Sequence, residues 1–210
     1  MNNAVGNTAR LIGAGLRALL VLTVICGVLY PLAVTGIAQA AFHDRANGSE
    51  VKDRTGTVVG SSVIGQGYGD DLRWFQSRPA AGLGQNAINT QYTLLVSGAS
   101  NKAADNPDLV KAVREAQRKV IEDNTVPGFT PTPAQVPADA VTSSGSGLDP
   151  AISPAYAALQ VPRIAAKNHL PVAKVEQLVA AHTEGRTLGF MGEPRVNVLE
   201  LNVALKSLAG

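Results

Sequence analysis

The sequence predicts an α+β protein in which a single N-terminal transmembrane helix precedes one mixed α+β domain outside the cytoplasm. The first observation is an apolar run over residues 18–42 that contains no Asp, Glu, Lys, Arg or His. The second is the alternation, over residues 43–210, of amphipathic helical patterns with short β-branched segments. Residues 1–17 then form a cytoplasmic N-terminus.

The charge and cysteine content exclude two kinds of protein. The 210 residues carry 18 basic and 16 acidic side chains, a formal charge of +2, with no long basic run. The chain therefore lacks the electrostatic signature of a nucleic-acid-binding protein. The single cysteine, Cys26, lies inside the apolar run, so it forms neither an intramolecular disulfide nor a cysteine metal cluster.

Residues 18–42 are long enough to cross a bilayer. About 25 residues at roughly 1.5 Å each reach about 37 Å, against a hydrocarbon thickness of about 30 Å. Arg10 and Arg17 precede the run, whereas Asp44 and Arg45 follow it with mixed sign. By the positive-inside rule, the N-terminus lies in the cytoplasm and the domain lies outside.

A cleaved signal peptide is the alternative to a retained anchor. Ala38-Gln39-Ala40 matches the small-x-small cleavage pattern, and cleavage after Ala40 would release a secreted soluble binding protein or hydrolase. The apolar run, however, extends beyond the usual signal-peptide core of about 7 to 15 residues, and Tyr30 and Pro31 lie in its middle. We therefore predict a retained helix.

Pro31 and four small residues indicate that the membrane helix has neighbours. Proline removes a backbone donor that lipid cannot replace, so the resulting bend is best tolerated against other helices. The small residues are spaced by four, Thr23 with Gly27 and Gly36 with Ala40, and would allow close helix approach. A lone anchor is the alternative.

The first part of the exported domain predicts short strands and one helix. Residues 43–56 are polar and turn-prone, and Thr57–Ile64 has β-branched pairs around a glycine, typical of short strands or a hairpin. A second extended piece is expected near Trp74–Ser77. An asparagine cap, a first-turn proline and helical apolar spacing predict a helix over residues 107–123.

The second part predicts a loop followed by helices. Thr125–Pro137 is rich in proline and threonine, which predicts a surface loop. Ser153-Pro154 opens a helix that Pro162 should kink or end. Another helix begins at Leu170-Pro171 and is closed by Gly185.

Two motifs lie at or just before the start of a predicted C-terminal helix. Asn197 with Glu200 forms a capping box for this helix. Glu193-Pro194-Arg195 has two interpretations, a solvated turn or a rigid loop that presents Arg195 to a partner or to the C-terminal helix. The residues alone do not separate these interpretations.

Asp53-Arg54-Thr55-Gly56-Thr57 differs only at Arg54 from the D-K-T-G-T phosphorylation loop of P-type ATPases. It follows the membrane run on the predicted outer side, where ATP is absent, and the chain leaves no room for separate nucleotide and phosphorylation domains. We therefore expect a polar turn before the Thr57–Ile64 strand.

The Ser- and Gly-rich segment Thr142–Gly147 could cradle an anion with its backbone N–H groups. It lacks the lysine of a nucleotide-binding P-loop, so we predict a buried turn. Ser146, Asp149 and either His169 or His182 are the residue types of a serine hydrolase, but no G-x-S-x-G motif is present. The histidines also lack the spacing of a zinc site.

Six stretches resemble the C subunit of the Kdp-type potassium-transporting ATPase. They are YPLAVTGIAQA at 30–40, GSSVIGQ at 60–66, FQSRPAA at 75–81, SGASN at 97–101, VTSSGSGLDPAISPAYAALQVPRIA at 141–165 and HTEGRTLGFMGEPRVNVLELNVAL at 182–205. The resemblance extends from the membrane run to the C-terminus. It implies one anchor and one exported domain, which is the topology inferred from the residues.

The resemblance implies an accessory role in ATP-driven, high-affinity potassium uptake at the inner membrane. The expected partners are a channel-like potassium-translocating subunit, a P-type ATP-hydrolysing subunit and the lipid bilayer, but no nucleic acid. The subunit would stabilise assembly, assist potassium entry, or raise the ATP affinity of the hydrolysing subunit as a catalytic chaperone. We expect it to have no active site and to bind no cofactor directly, in a complex that uses ATP, Mg and potassium.

The membrane segment and the matching motifs supply the candidate partner-interface or structural residues, none of them expected to be catalytic or metal-ligating. They are Gly27, Tyr30, Pro31, Gly36, Gln66, Arg78, Pro79, Ser97, Asn101, Ser144, Gly145, Ser146, Gly147, Asp149, Pro150, Arg186, Glu193, Pro194, Arg195 and Asn197.

Overall fold

The structure is a computed structural model that describes residues 2–80, 83–85, 93–95 and 97–209. The chain divides into two compact units, Met1–Ser49 and Glu50–Gly210. The first contains a long apolar helix with a short helix after it, and the second combines helices with small antiparallel sheets. The predicted α+β class with a single N-terminal membrane helix is therefore confirmed.

The membrane helix is continuous but contains one wide turn. It consists of α1 (Asn2–Val24), a π-helical turn (Ile25–Leu29) and α2 (Tyr30–Ala41). The stretch Val5–Ala41 is long and apolar enough to span a bilayer. The helix thus extends further toward the N-terminus than residues 18–42, and the position of the lipid boundary along it stays a prediction.

The wide turn accommodates Pro31. A proline in a helix removes one N–H donor, and its ring clashes with the carbonyl four residues earlier, here that of Gly27. The Tyr30 N–H donates to the carbonyl of Ile25, one residue further back than in an α-helix. The π-helical turn thus accommodates Pro31 within a continuous helix. The large apolar side chains around the helix are exposed, as suits a surface that faces lipid.

Residues 43–56, described from the sequence as polar and turn-prone, also contain a helical turn and a strand. The short helix α3 (His43–Ala46) forms first, and β1 (Glu50–Lys52) then pairs antiparallel with β2 (Val58–Ser61). Only the central residue of β1 is partly buried, so its sequence gives little hydrophobic signal. The strand predicted within Thr57–Ile64 is confirmed as β2, but a hairpin within this segment is wrong, because the partner strand β1 precedes it.

The helix predicted over residues 107–123 is confirmed as α4 (Pro107–Asp123). Its N-terminus is capped by the carboxamide oxygen of Asn106, which accepts hydrogen bonds from the N–H groups of Asp108 and Leu109 at 3.0 and 3.4 Å. Val120 is its buried residue. A local capping signal and apolar spacing were therefore enough to place this helix.

Short elements lie on both sides of α4. Before it, β3 (Leu83–Gln85) pairs antiparallel with β4 (Thr93–Leu95). After it, the predicted loop over residues 125–137 contains a 3-10 turn (Pro133–Gln135) and leads into the single-turn helix α5 (Ala138–Val141). The loop prediction is confirmed.

The C-terminal half combines a three-stranded antiparallel sheet with three helices. In chain order the elements are β5 (Ala151–Ile152), α6 (Pro154–Asn168), α7 (Val172–Ala181), β6 (Thr183–Glu184), β7 (Arg195–Asn197) and α8 (Val198–Ala209). The strand order is β5-β7-β6, with Val196 of β7 opposite Ile152 on one side and Thr183 on the other. β7 is therefore the central strand.

Two helix ends differ from the prediction. α6 continues through Pro162, so the predicted end at this proline is excluded; the residues around it are buried, and packing holds the helix together. α7 ends at Ala181 rather than at Gly185. The Thr183 hydroxyl donates to the Val179 carbonyl at 2.7 Å, and the chain then enters β6.

β7 lies at the centre of one hydrophobic core. Val196 belongs to a buried cluster with Ile164 of α6, Val175 of α7, and Leu201 and Leu205 of α8. Each of these side chains is completely buried. The sheet and the three helices are therefore held together by shared apolar burial.

Candidate functional site

The extended piece predicted near Trp74–Ser77 is held by side chains rather than by a neighbouring strand. The Phe75 N–H donates to Asn202 Oδ1 at 2.9 Å, and Asn202 Nδ2 donates to the Phe75 carbonyl at 3.0 Å. The Gln76 N–H donates to Gln160 Oε1 at 2.7 Å, and Gln160 Nε2 donates to the Gln76 carbonyl at 3.1 Å. Two buried carboxamides therefore pair with this backbone as strand residues would.

A buried arginine fixes the start of the same segment. Arg163 is fully buried and donates to the carbonyls of Leu72 and Trp74 and to the side-chain oxygens of Gln160 and Asn124. Its four partners are neutral oxygen atoms. Burial lowers the pKa of Arg163 to about 10, so the guanidinium stays charged at neutral pH and its burial is compensated by these hydrogen bonds.

The extended segment near Trp74–Ser77 places Arg78 in a groove on the domain surface. Arg78 Nη1 lies 3.2 Å from Asp149 Oδ2, and both side chains are partly buried. The groove has a volume of about 480 Å³ and is lined by Arg78 and Asp149 together with Asp139, Glu193 and Arg195. Residues from the FQSRPAA, SGSGLDP and GEPR motifs, distant in sequence, therefore meet here.

The serine-rich loop Ser144–Asp149 contributes Asp149 to the groove and is stabilised by hydrogen bonds from its own backbone to its own hydroxyls. Ser144 Oγ accepts from the Gly147 N–H at 3.0 Å, and Ser146 Oγ accepts from the Leu148 N–H at 3.1 Å. The prediction of a buried turn holds for Gly147 alone, because neighbouring residues are exposed or half-buried. Since the hydroxyls satisfy the backbone donors locally, the loop does not need a protein interior to stabilise it.

A close glycine contact holds the far side of this loop. The Gly65 N–H donates to the Leu148 carbonyl at 2.7 Å. A Cβ atom on Gly65 would lie 2.5 Å from the Asp149 carbonyl oxygen, too near for any other residue without a backbone shift. Next to it, the Gln66 carbonyl accepts from the Ser77 hydroxyl at 2.7 Å, which ties the GSSVIGQ and FQSR motifs together.

Two groove residues from the GEPR motif, Glu193 and Arg195, belong to exposed ion pairs. Arg186 Nη2 lies 3.0 and 2.8 Å from the two carboxylate oxygens of Glu193. Arg195 Nε donates to Glu184 Oε2 at 2.9 Å, across the β6–β7 pair. Two targets were predicted for Arg195, a partner protein or the C-terminal helix of this chain. The prediction of the C-terminal helix is wrong, because the pairing of β6 with β7 places Arg195 opposite Glu184.

Asn197 joins the central strand to two other elements. Its Oδ1 accepts from the N–H groups of Leu199 and Glu200 at 3.1 and 3.2 Å, which confirms the Asn197 half of the predicted capping box. Its Nδ2 donates to the Ser62 carbonyl at 2.8 Å, just after β2. This side chain is therefore a structural link rather than a free surface group.

The other candidates lie around the groove or in the first unit. The Pro150 carbonyl accepts from the Val198 N–H at 3.0 Å, and the Ser146 carbonyl accepts from the Gly98 N–H at 2.7 Å, which brings the SGASN motif next to the serine-rich loop. Within the second unit, Pro79, Ser97 and Asn101 lie in loops. The other candidates, Gly27, Tyr30, Pro31 and Gly36, belong to the membrane helix of the first unit.

Sequence reasoning missed the buried polar residues that support the groove. Gln160 and Arg163 lie on α6, and Asn202 lies on α8. The partly buried Asp139 was missed as well; it accepts from the Ser153 N–H and hydroxyl at 2.7 and 2.9 Å. The available signal was a polar residue on the apolar face of a helix, because such residues are normally buried only with hydrogen-bond partners.

The D-R-T-G-T segment forms the predicted turn, between β1 and β2. Asp53 Oδ1 accepts from the Thr55 hydroxyl at 2.5 Å and from the N–H groups of Thr55 and Thr57 at 2.9 and 3.1 Å. The hydrogen bond from the Thr55 hydroxyl is the main cause that lowers the pKa of Asp53. The carboxylate therefore stabilises a turn.

Comparison with known proteins places these motifs in one family. The family model for the K+-transporting ATPase c chain, KdpC, matches residues 12–207. Proteins named potassium-transporting ATPase KdpC subunit from Streptomyces avermitilis and Streptomyces coelicolor are 63% and 60% identical, each over 99% of this chain and 98% and 97% of their own lengths. One from Citrifermentans bemidjiense is 44% identical over 92% of this chain and 95% of its own. The chain therefore belongs to the KdpC family and is a membrane-anchored subunit of a K+-transporting ATPase complex.

Proposed function

We propose that this chain is a non-catalytic accessory subunit that stabilises the assembly of a channel-like potassium-translocating subunit with a P-type ATP-hydrolysing subunit, for ATP-driven high-affinity potassium uptake. The observation that carries the proposal is the groove at Arg78 and Asp149. Each of its charged side chains is already engaged by an opposite charge or by a nearby Ser153 donor, which suits a docking surface better than a reaction centre.

The contacts of the hydrolase-like residues support the absence of an active site. The Ser146 hydroxyl is engaged with the Leu148 N–H, His182 Nδ1 with the Leu178 carbonyl at 2.9 Å, and Asp149 with Arg78. A serine nucleophile requires a histidine within hydrogen-bond reach and an acid that orients it. In the described part of the chain these three residues have other partners.

The serine-rich loop also argues against direct nucleotide binding. A phosphate-cradling loop needs backbone N–H groups that point outward and are free. Here the N–H groups of Gly147 and Leu148 are used by the hydroxyls of Ser144 and Ser146. We therefore propose that the chain binds no cofactor itself, and that the ATP, Mg and potassium are used by the rest of the complex.

The proposed location is the inner membrane, with a cytoplasmic N-terminus and the second unit outside. Arg10 and Arg17 near the start of the membrane helix support this orientation. Tags at each end, tested for protease access in spheroplasts, decide it. Protection of the C-terminal tag would overturn the orientation.

The assembly role can be tested at the groove without disturbing the core. Glu193→Lys reverses an exposed charge on the groove wall, and Glu176→Lys makes the same change on the exposed face of α7. Co-purification with the tagged ATP-hydrolysing subunit should fall by roughly tenfold for Glu193→Lys and stay unchanged for Glu176→Lys.

The melting temperature of each variant chain controls for misfolding. Equal co-purification of both variants with the complex would remove the groove as a docking surface. A wild-type chain that fails to co-purify with the other subunits would refute the proposed function as a whole.

A further inference from the structure

The hairpin between β6 and β7 ends in a tight apolar tip, residues Leu188–Met191. Thr187 and Met191 pair through reciprocal backbone hydrogen bonds of 2.9 and 3.0 Å. Leu188 has a φ of 54° and Gly189 a φ of 82°. The left-handed conformation is ordinary for glycine but disfavoured for leucine, so the tip holds a branched apolar residue at a position of local strain.

The tip exposes three large apolar side chains together. Leu188 is 78% exposed, Phe190 70% and Met191 46%, although the domain buries other large apolar residues in its core. Single exposed apolar residues are common on protein surfaces, but a contiguous group on a strained turn indicates an interaction site. Phenylalanine and methionine are also enriched at protein interfaces.

The charged side chains at the base of the hairpin form ion pairs with one another. Arg186 and Glu193 form a two-pronged contact directly below the tip, and Arg195 pairs with Glu184 one step further down. Because the nearest cation in sequence, Arg186, is engaged by Glu193, the tip offers an anionic bilayer surface little electrostatic attraction. Membrane-surface segments usually combine apolar residues with free Lys or Arg, which favours a protein pocket here.

We propose that Leu188, Phe190 and Met191 insert into an apolar pocket on another subunit of the same ATPase and anchor the exported domain to it. This inference rests on the proposed function and names its central contact. The tip is continuous with the docking groove, since Glu193 both lines the groove and pairs with the base of the hairpin. An apolar anchor beside a paired polar rim is the usual anatomy of a stable protein interface.

The first test compares two truncations of exposed apolar side chains. Phe190→Ser should weaken recovery of the chain with the tagged complex by at least about tenfold, as expected for an interface anchor. Val63→Ser is the matched control, because Val63 is 60% exposed in the same domain but lies outside the hairpin. Melting temperatures should remain near wild type for both variants, since neither residue belongs to the core. Equal recovery of both variants would overturn the proposal.

A second test distinguishes a protein pocket from lipid. An environment-sensitive fluorophore is attached at Leu188→Cys in a Cys26→Ser background, with Val63→Cys as control, and its emission is compared for the chain alone in nanodiscs and for the assembled complex. We expect a blue shift at position 188 only in the complex. A blue shift in the chain alone, quenched by brominated lipid, or no shift in either state, would overturn the proposal.

The outcomes separate this inference from the proposed function. If the wild-type chain assembles and Phe190→Ser assembles equally well, the hairpin contact is refuted while the accessory role stands. If the wild-type chain does not assemble, the proposed function itself fails.

Discussion

Arg78 and Arg195 reach the same groove on two extended segments that are held in different ways. The segment before Arg78 is paired with the side chains of Asn202 and Gln160, whereas β7, which carries Arg195, is paired with the backbones of β5 and β6. A backbone ladder exists whatever the side chains are. A side-chain clamp disappears when one residue changes, so the Arg78 side of the groove should be the more fragile.

The largest effect is expected from Asn202→Leu. This change removes both hydrogen bonds to Phe75 and leaves a buried N–H and carbonyl without partners, which should lower the free energy of unfolding by about 2 to 4 kcal/mol. Asn168→Leu is the matched control, because Asn168 contacts the neighbouring Arg73 carbonyl from a half-buried position. Thermal melting of the purified chain measures both, and a similar loss in the two variants would contradict the clamp.

A smaller loss is expected from Gly65→Ala. The new Cβ would press on the Asp149 carbonyl and displace the serine-rich loop, at a cost of about 1 to 3 kcal/mol. Gly67→Ala places the same methyl group in open space and should change little. The melting temperatures of the two variants decide the point, and equal values would show that the loop yields without strain.

The β7 side of the groove should tolerate the loss of the ion pair between Arg195 and Glu184. Glu184→Gln breaks the contact with Arg195, but the pair is exposed and Arg195 is still placed by β7, so stability should fall by less than about 1 kcal/mol. Co-purification with the complex should be nearly unchanged. A loss as large as that of Asn202→Leu would remove the contrast between the two segments.

The smallest effect is a dependence of stability on pH at Asp71, near the start of the segment that Asn202 and Gln160 hold. Hydrogen bonds from Arg73 lower the pKa of Asp71 from 3.8 to about 2. Because the folded pKa lies below the unfolded one, the contribution is present above about pH 4 and is lost as the pH falls through about 2. The melting temperature of wild type minus that of Asp71→Asn should shrink over this window, and a constant difference would refute the contribution.

The two segments also show what the sequence could predict. α4 and the cap at Asn197 were predictable because capping residues and apolar spacing are local signals. β7 was missed because it is three residues long and only Val196 is buried, so there is no alternation to detect. Its central position depends on pairing with β5, which lies more than 40 residues earlier in the sequence.

The groove was predictable in its residues but not in its assembly. The family motifs indicated Arg78, Asp149 and Glu193, but their meeting depends on the strand order and on the clamp. The clamp residues were overlooked because a polar side chain in an amphipathic helix is usually assigned to solvent. Gln160 and Arg163 lie on the buried face of α6. The position of a polar residue around the helix therefore predicts its burial as well as the residue type does.

The π-helical turn in the membrane helix also changes the direction in which the small residues point. At about 100° per residue, the nine steps from Gly27 to Gly36 would place them roughly 180° apart in an uninterrupted α-helix. The extra residue in the Ile25–Leu29 turn reduces this rotation by about 100° at most, so the two glycines stay a quarter of a revolution or nearly so apart. The two glycines therefore face different directions, so Gly27→Leu and Gly36→Leu test two separate sides of the membrane helix.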